Sequence, residues 1–170
     1  MSKSSHRCES QRAQAPQASV AVLKEKFCLE KYPALAEALD AMCAFPHELN
    51  RRISSFRLAK SIEGDAMLVR FDKPGCHEPW RLDSSSRGQD NGFRVSFVYY
   101  FEDSTNNNGC DLVLKRDDDS KQSEPKHISS KVDRIVLYRS DKMLRSMTAF
   151  QPGGTSTCMS MMTFYIRTAT

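Results

Sequence analysis

The sequence predicts an α+β protein in which an antiparallel barrel or jelly roll carries helices packed on one side. The helical patterns all lie in the first third of the chain. From residue 66 onward, six or more short runs rich in β-branched and aromatic residues follow one another. Polar segments containing Gly, Pro or Asn separate these runs, which is typical of antiparallel strands. Helices followed by such strands favour this architecture.

Composition indicates one globular domain. The chain has 170 residues, of which 39% are hydrophobic and 27% charged, and domains cluster near this length. No apolar run approaches the ~20 residues that a transmembrane helix needs. The six cysteines form no Cys-x-x-Cys pair, and no secretory signal peptide is recognised, so reduced thiols are expected. We therefore expect an intracellular protein, cytoplasmic unless a targeting segment directs it to the mitochondrion or another organelle.

Residues 1–18 are predicted to be a polar N-terminal extension. They are rich in Ser, Gln, Ala and Arg and contain one acid, Glu9. This composition is typical of a disordered tail and also of a transit peptide, and the sequence leaves both readings open. Because such a segment cannot bury a core of its own, we expect a protein partner to bind it. Residues 19–170 are predicted to form a single jelly-roll domain, with a helical part at 19–62 and a barrel at 63–170.

Two helices are predicted in the helical part. Pro33 suits the first turn of a helix, and apolar residues then recur at spacings of three and four up to Cys43, which predicts a helix over 33–43. Pro46 would end it. A second helix is expected over 47–61, with Leu49, Ile53, Phe56 and Leu58 facing inward and Arg51, Arg52 and Arg57 facing solvent.

The strands are predicted from short apolar runs and the turns between them. Lys73-Pro74-Gly75 is a turn signal, and the segments 84–92 and 117–126 are polar throughout and are expected to be loops. The predicted strands are 66–71, 94–101, 112–115, 135–139, 144–148 and 159–166.

Several of these segments together resemble the prolyl 4-hydroxylase family, most closely its oxygen-sensing type. They follow one another in the order and with nearly the spacing of that family. The matching segments are Ala66-Met67 through Phe71, Tyr99-Tyr100-Phe101, Gly109-Cys110-Asp111-Leu112, Val132 to Leu137 with Ser140-Asp141, and Thr163-Phe164-Tyr165. The resemblance implies a double-stranded β-helix, the jelly roll of Fe(II)- and 2-oxoglutarate-dependent dioxygenases.

In that family two histidines and a carboxylate hold the iron ion and leave positions open for 2-oxoglutarate and oxygen. The first two ligands form a His-x-Asp motif, which reads Arg81-Leu82-Asp83 in this chain. Asp83 therefore matches the carboxylate, while Arg81 replaces the histidine. A guanidinium cannot coordinate a metal ion, so we expect Arg81 to pair with Asp83. Ser146 lies nearest the position of the second histidine.

The family also implies two groups that hold the distal carboxylate of the cosubstrate. An arginine that opens the last strand would clamp it, and this position reads Cys158 or Met159. Tyr100 matches a tyrosine that hydrogen-bonds the same carboxylate. With both histidines and the clamp absent, the sequence predicts a pseudoenzyme with no catalytic, cofactor-binding or metal residues and no cofactor. Its vestigial pocket would consist of Arg81, Asp83, Tyr100, Ser146 and Cys158.

Three functional hypotheses follow. The first is a non-catalytic module that serves as a structural or accessory subunit of a larger protein assembly. The second is an active dioxygenase with a non-standard metal site, which Cys76, His77 and Cys158 could rebuild with Asp83. The third is RNA binding within a ribonucleoprotein, because residues 1–60 hold 10 basic against 6 acidic residues. The RNA contacts would be Lys3, Arg7, Arg12, Lys24, Lys26, Arg51, Arg52 and Arg57.

Overall fold

Two antiparallel sheets face each other in the computed structural model. It describes residues 18–22, 33–53, 55, 57–59, 66–86, 89–103, 109–117, 124–152 and 158–169. The helices are α1 (Pro33–Cys43) and α2 (Phe45–Arg52). The strands are β1 (Ser19–Val22), β2 (Ala66–Phe71), β3 (Glu78–Leu82), β4 (Ser85–Ser86), β5 (Gln89–Asp90), β6 (Phe93–Tyr100), β7 (Leu112–Arg116), β8 (Lys126–Ile128), β9 (Ile135–Arg139), β10 (Met143–Met147) and β11 (Met159–Arg167).

The strand order is that of a jelly roll. One sheet runs β1-β2-β11-β6-β9 and the other runs β3-β10-β7-β8, and β4 pairs with β5 in a short ribbon. Every pairing is antiparallel. The predicted fold class, an α+β double-stranded β-helix with N-terminal helices packed on one side, is confirmed.

The central strands are apolar on both faces because both faces are covered. In β6 the side chains of Val95 and Phe97 pack with α1, while Val98 and Tyr100 pack into the space between the two sheets. Strand β11 alternates in the same way, with Met162 and Phe164 on the helix side. Because successive side chains of a strand point to opposite faces, this double covering gives the continuous apolar runs seen in the sequence.

Helix α1 has the bounds that its periodicity predicts. Its buried residues Ala36, Leu39 and Met42 are 9%, 8% and 7% exposed and recur every third position, so one face of the helix lies on the sheet. This packing holds the helical layer against β6 and β11.

Helix α2 is shorter than predicted and begins earlier. Pro46 lies in its first turn, where proline is tolerated, so this residue starts the second helix as well as separating it from the first. The helix ends where Ile53 takes an extended conformation. The Asn50 side chain then exchanges two hydrogen bonds of 2.9 and 3.0 Å with the backbone of Leu58, which turns the chain back toward β11.

Strands β3 and β8 were not predicted, because their sequences are polar or contain proline. Both lie at the edges of the four-stranded sheet, where Pro79 and charged side chains are tolerated. Strand β1 lies in the part predicted to be helical, and β4 and β5 lie in the predicted loop 84–92, so these three short strands were not predicted either. The strands β2, β6, β7, β9, β10 and β11 match their predicted positions to within one residue. None of the helices in the described ranges is long and apolar enough to cross a membrane. The boundaries predicted at 18 and 62 remain predictions, since residues 1–17 and 60–65 lie outside the description.

Candidate functional site

A buried carboxylate, Asp83, lies directly after β3 between the two sheets. Its side chain is 1% exposed and accepts hydrogen bonds from three residues. Arg145 Nε donates to Oδ1 at 2.9 Å, and Oδ2 accepts from Tyr138 Oη at 2.6 Å and from Ser96 Oγ at 2.8 Å. Ser140 Oγ lies 2.7 Å from Ser96 Oγ. These five residues are called the Asp83 cluster below.

Three strands and one turn position the cluster. Ser96 and Tyr138 lie on β6 and β9, where they are direct cross-strand partners, so their side chains project from the same face. Arg145 lies on β10 in the opposite sheet. The turn that carries Asp83 is fixed by Asn91, whose side-chain amide donates to the Asp83 carbonyl at 2.6 Å. The carboxylate therefore links the two sheets of the barrel.

Two further charged groups adjoin the cluster. Arg145 Nη1 lies 2.5 Å from Glu78 Oε2, although this contact lacks hydrogen-bonding geometry. Arg81 Nε is 3.5 Å from Asp83 Oδ1 and its Nη2 is 3.7 Å from Glu78 Oε1. Two guanidinium groups therefore face two carboxylates, which balances the charges of a largely buried group of side chains.

The electrostatics keep Asp83 ionised and Tyr138 neutral. Burial by itself would raise the pKa of the Asp83 carboxyl, but the Arg145 guanidinium, the Tyr138 hydroxyl and Arg81 outweigh burial and hold this pKa below its usual value. Burial raises the pKa of Tyr138 well above its usual value, and the neighbouring Asp83 raises it further. Tyr138 is therefore a hydrogen-bond donor at neutral pH.

The structure brings together some of the residues that were predicted to line a vestigial pocket. Arg81 contacts Asp83, as expected. The hydroxyl of Ser146 instead donates to the Glu78 carbonyl at 2.9 Å. In the described part of the chain, Tyr100 and Cys158 make no hydrogen bond or ion pair with Asp83. The partner of Asp83 on β10 is Arg145, which neighbours Ser146 in sequence and which the sequence analysis passed over.

The remaining members of the Asp83 cluster were also missed, although Ser96 and Arg145 each leave a trace in the sequence. Ser96 is the one polar residue in the run Val95–Tyr100, and Arg145 is the one charged residue between Met143 and Met147. A single polar residue inside an apolar strand predicts a buried polar contact, because a buried polar group needs a hydrogen-bond partner.

Tyr100 lies deeper between the sheets, where it is 0% exposed. Its hydroxyl lies near the Leu112 backbone amide but makes no hydrogen bond of good geometry with any described residue. Burial is the largest cause that raises the pKa of Tyr100, so the phenol is neutral at physiological pH. Its ring packs among the apolar residues that fill this part of the space between the sheets.

The side chains present do not fit the iron centre that the resemblance implies. Asp83 is already engaged by a cation and two hydroxyl groups, and guanidinium groups cannot serve as metal ligands. Within the described ranges, no three His, Cys, Asp or Glu side chains form a group that could hold a metal ion. Cys76 is buried in the apolar core, and His77 Nδ1 lies 3.1 Å from the Gly75 carbonyl. The residues of the alternative metal site are thus not assembled around Asp83.

The basic residues considered for RNA binding are only partly described. Arg51 and Arg52 both pair with Glu48 on the solvent face of α2, and the hydrogen bonds from these arginines lower the pKa of Glu48 to about 2. The Arg57 backbone carbonyl accepts from Ala169. Lys3, Arg7, Arg12, Lys24 and Lys26 lie outside the described residues.

Known structures share this fold. A prolyl-4-hydroxylase from Pseudomonas putida is 15% identical with a TM-score of 0.71, and the match covers 94% of this chain and 77% of that one. A prolyl 4-hydroxylase from Phytophthora capsici is 20% identical with a TM-score of 0.65, over 88% of this chain and 48% of that one. A prolyl hydroxylase from Trichoplax adhaerens, solved with a peptide fragment of the hypoxia inducible factor oxygen degradation domain, is 16% identical with a TM-score of 0.65.

These matches define the class of fold: the chain has the fold of prolyl 4-hydroxylases and related 2-oxoglutarate and Fe(II) oxygenases. The chain spans about half the length of the Phytophthora structure, with 48% of it covered. No family model matches the sequence, and no curated protein matches it.

The comparisons correct one prediction. The missing histidines predict that the chain is not an enzyme, and this prediction is wrong as it stands. The solved structures that share its fold over most of its length are prolyl hydroxylases. The unusual set of residues at Asp83 therefore does not by itself show that the chain is non-enzymatic.

Proposed function

We propose that this chain is an accessory subunit of a larger protein assembly and that it binds a protein partner at the edge of β9. Strand β9 is the last strand of its sheet, and no strand of the described ranges pairs with its outer side. An edge of this kind presents unpaired backbone groups to which an extended segment of another protein can add.

A groove beside this edge carries the proposal. The groove has a volume of about 680 Å³. Its apolar residues are Leu114, Leu137, Tyr138 and Met143, and its charged residues are Arg116, Asp117, Arg139, Asp141 and Lys142. Leu137 is 40% exposed although it is a large apolar residue in a strand. An exposed apolar side chain next to an uncovered strand edge supports the proposal, because an added strand would cover both.

The occupant that fits this groove is an extended protein segment with an apolar residue over Leu137. Three basic and two acidic side chains surround the apolar floor. Arg139 and Asp141 pair with each other at 2.7 Å.

The test compares substitutions at two exposed apolar residues, Leu137 in the groove and Val132 outside it. The full chain is purified with its partners from cells that express it, the partner is identified by mass spectrometry, and binding is measured with purified proteins by calorimetry. We expect Leu137→Asp to weaken binding roughly tenfold or more, as for a central interface residue. The matched control is Val132→Asp, because Val132 is 43% exposed and lies outside the groove. Equal affinity of both variants, or no partner at all, would contradict the proposal.

A second candidate function is an Fe(II)- and 2-oxoglutarate-dependent dioxygenase with a non-standard site. Two observations favour it. The fold is that of the prolyl hydroxylases, one of which, from Paramecium bursaria Chlorella virus-1, was solved as a complex with 2-oxoglutarate. The Tyr100 hydroxyl is also buried without a well-formed hydrogen bond, at the position that the resemblance assigns to the cosubstrate.

This candidate is tested by succinate release from 2-oxoglutarate in the presence of Fe(II). Tyr100→Phe removes one oxygen atom and leaves the apolar ring in place, so the fold is expected to survive. A succinate signal that falls in this variant would support the oxygenase. Equal background signals from wild type and variant would leave the accessory role as the better-supported function.

A further inference from the structure

We infer that the Arg145 guanidinium is the permanent counter-cation of Asp83, at the place where an oxygenase of this fold would hold its metal ion. The contacts and charges around the Asp83 carboxylate support this assignment, which is independent of whether the chain binds a protein partner.

Two arginines approach Asp83 from neighbouring positions on β3 and β10. Arg81 lies two residues before Asp83, which is the spacing of the His-x-Asp motif in the family that the chain resembles. Arg145 is the direct cross-strand partner of Arg81, so the two side chains project from the same face of the sheet. Their Nε atoms lie 3.5 and 2.9 Å from the same oxygen, Asp83 Oδ1.

The hydrogen bonds of Asp83 leave little room for a metal ion. Oδ1 is taken by Arg145, and Oδ2 accepts from both Tyr138 and Ser96. A metal ion that bound Oδ1 would have to displace the Arg145 side chain, which is 1% exposed. The displaced guanidinium would lose its hydrogen-bonded carboxylate in a buried environment and keep only the poorly aligned contact with Glu78, which is unfavourable.

The balance of charges around Asp83 also disfavours a bound metal ion. Arg81 and Arg145 carry two positive charges, and Asp83 and Glu78 carry two negative charges. The group is therefore neutral without a metal ion. A divalent cation added to it would leave two uncompensated charges beside the buried pair of Asp83 and Arg145, although Arg81 is 44% exposed.

The same geometry predicts how a metal site could be created. If Arg81 and Arg145 both stand at ligand positions, replacing both by histidine would give two imidazoles and a carboxylate at neighbouring positions. Two histidines and one carboxylate are the donor set of non-haem Fe(II) sites. Histidine is also smaller than arginine, so the double variant would leave space for the ion.

The test is a titration of the purified full-length protein with Co(II), followed by visible absorption, and with Fe(II) under anaerobic conditions. Wild type is expected to show no protein-bound Co(II) band and no change in melting temperature with either ion. The double variant Arg81→His/Arg145→His is expected to bind one equivalent of Co(II), with a higher melting temperature when the metal is present. Adding Asp83→Asn to the double variant should abolish the binding.

Two results would overturn the inference. One is binding of a stoichiometric divalent ion by wild type that Asp83→Asn removes, since the guanidinium would then be displaceable. The other is a folded double variant that binds no Co(II), since the arginines would then not stand at ligand positions. The wild-type titration decides the first point even if the double variant does not fold.

Discussion

Replacing Asp83 by asparagine tests whether the buried ion pair with Arg145 stabilises the link between the two sheets. The substitution keeps the size of the side chain and removes its charge. Arg145 would then retain only the poorly aligned contact with Glu78, while its guanidinium stays buried. Breaking a buried ion pair by removing one partner costs about 3–5 kcal/mol. Because domains are stable by only about 5–15 kcal/mol, this loss is readily measured.

The measurement is urea-induced unfolding followed by circular dichroism, with the free energy of unfolding extrapolated to water. We expect a lower midpoint with an unchanged slope. The matched control is Asp90→Asn, which removes an ion pair with Arg94 of similar length, 2.8 Å, at an exposed position. Exposed pairs contribute little, so this control should leave the midpoint almost unchanged.

A second control separates the charge from the lost hydrogen bonds. In Asp83→Asn/Arg145→Met both charges are removed, and part of the lost stability should return because no unpaired guanidinium remains beside residue 83. The reasoning is refuted if Asp83→Asn destabilises the protein no more than Asp90→Asn does. It is also refuted if the double variant is less stable than Asp83→Asn alone.

Three further predictions follow from the same structure. The pKa of Asp83 is lower in the folded protein than in the unfolded chain. The ionised Asp83 carboxylate therefore stabilises the fold above its unfolded pKa of about 3.9, and this stabilisation is lost as the pH falls through the folded pKa. Acid unfolding curves of wild type and Asp83→Asn should converge at low pH. Burial raises the pKa of the Cys110 thiol to about 12. Iodoacetamide at mildly alkaline pH should therefore modify the partly exposed Cys158 before Cys110 in the folded protein. Mass spectrometry of digests taken over time measures this order. Gly109→Ala should destabilise the protein more than Gly92→Ala, although both glycines have positive φ, where strain alone costs roughly 1–3 kcal/mol. A Cβ at Gly109 would lie 1.9 Å from the Ala149 carbonyl oxygen, whereas the atom nearest a Cβ at Gly92 is 4.0 Å away. Equal melting temperatures of the two variants would contradict this reasoning.

Local sequence patterns predicted most of the fold because they are set by short-range physics. The bounds of β2 and β9 match the runs of β-branched and aromatic residues, and α1 matches its apolar periodicity. These patterns depend on propensity and on one buried face, both of which are properties of a short segment. The edge strand β3 was not predicted because Glu78-Pro79-Trp80 is neither a run of β-branched and aromatic residues nor an apolar periodic segment. An edge strand can form without either pattern.

From the sequence, the match of Arg81-Leu82-Asp83 to a His-x-Asp motif predicted that Arg81 and Asp83 pair, and the structure places Arg81 Nε 3.5 Å from Asp83 Oδ1. Only the tertiary structure decided that Arg145, and not Ser146, is the partner of Asp83. The register of β10 against β3 makes this choice, and a shift of one residue turns every side chain of a strand to the opposite face. The hydrogen bonds from Ser96 and Tyr138 likewise exist because the β6–β9 pairing and the opposite sheet bring distant residues onto one carboxylate.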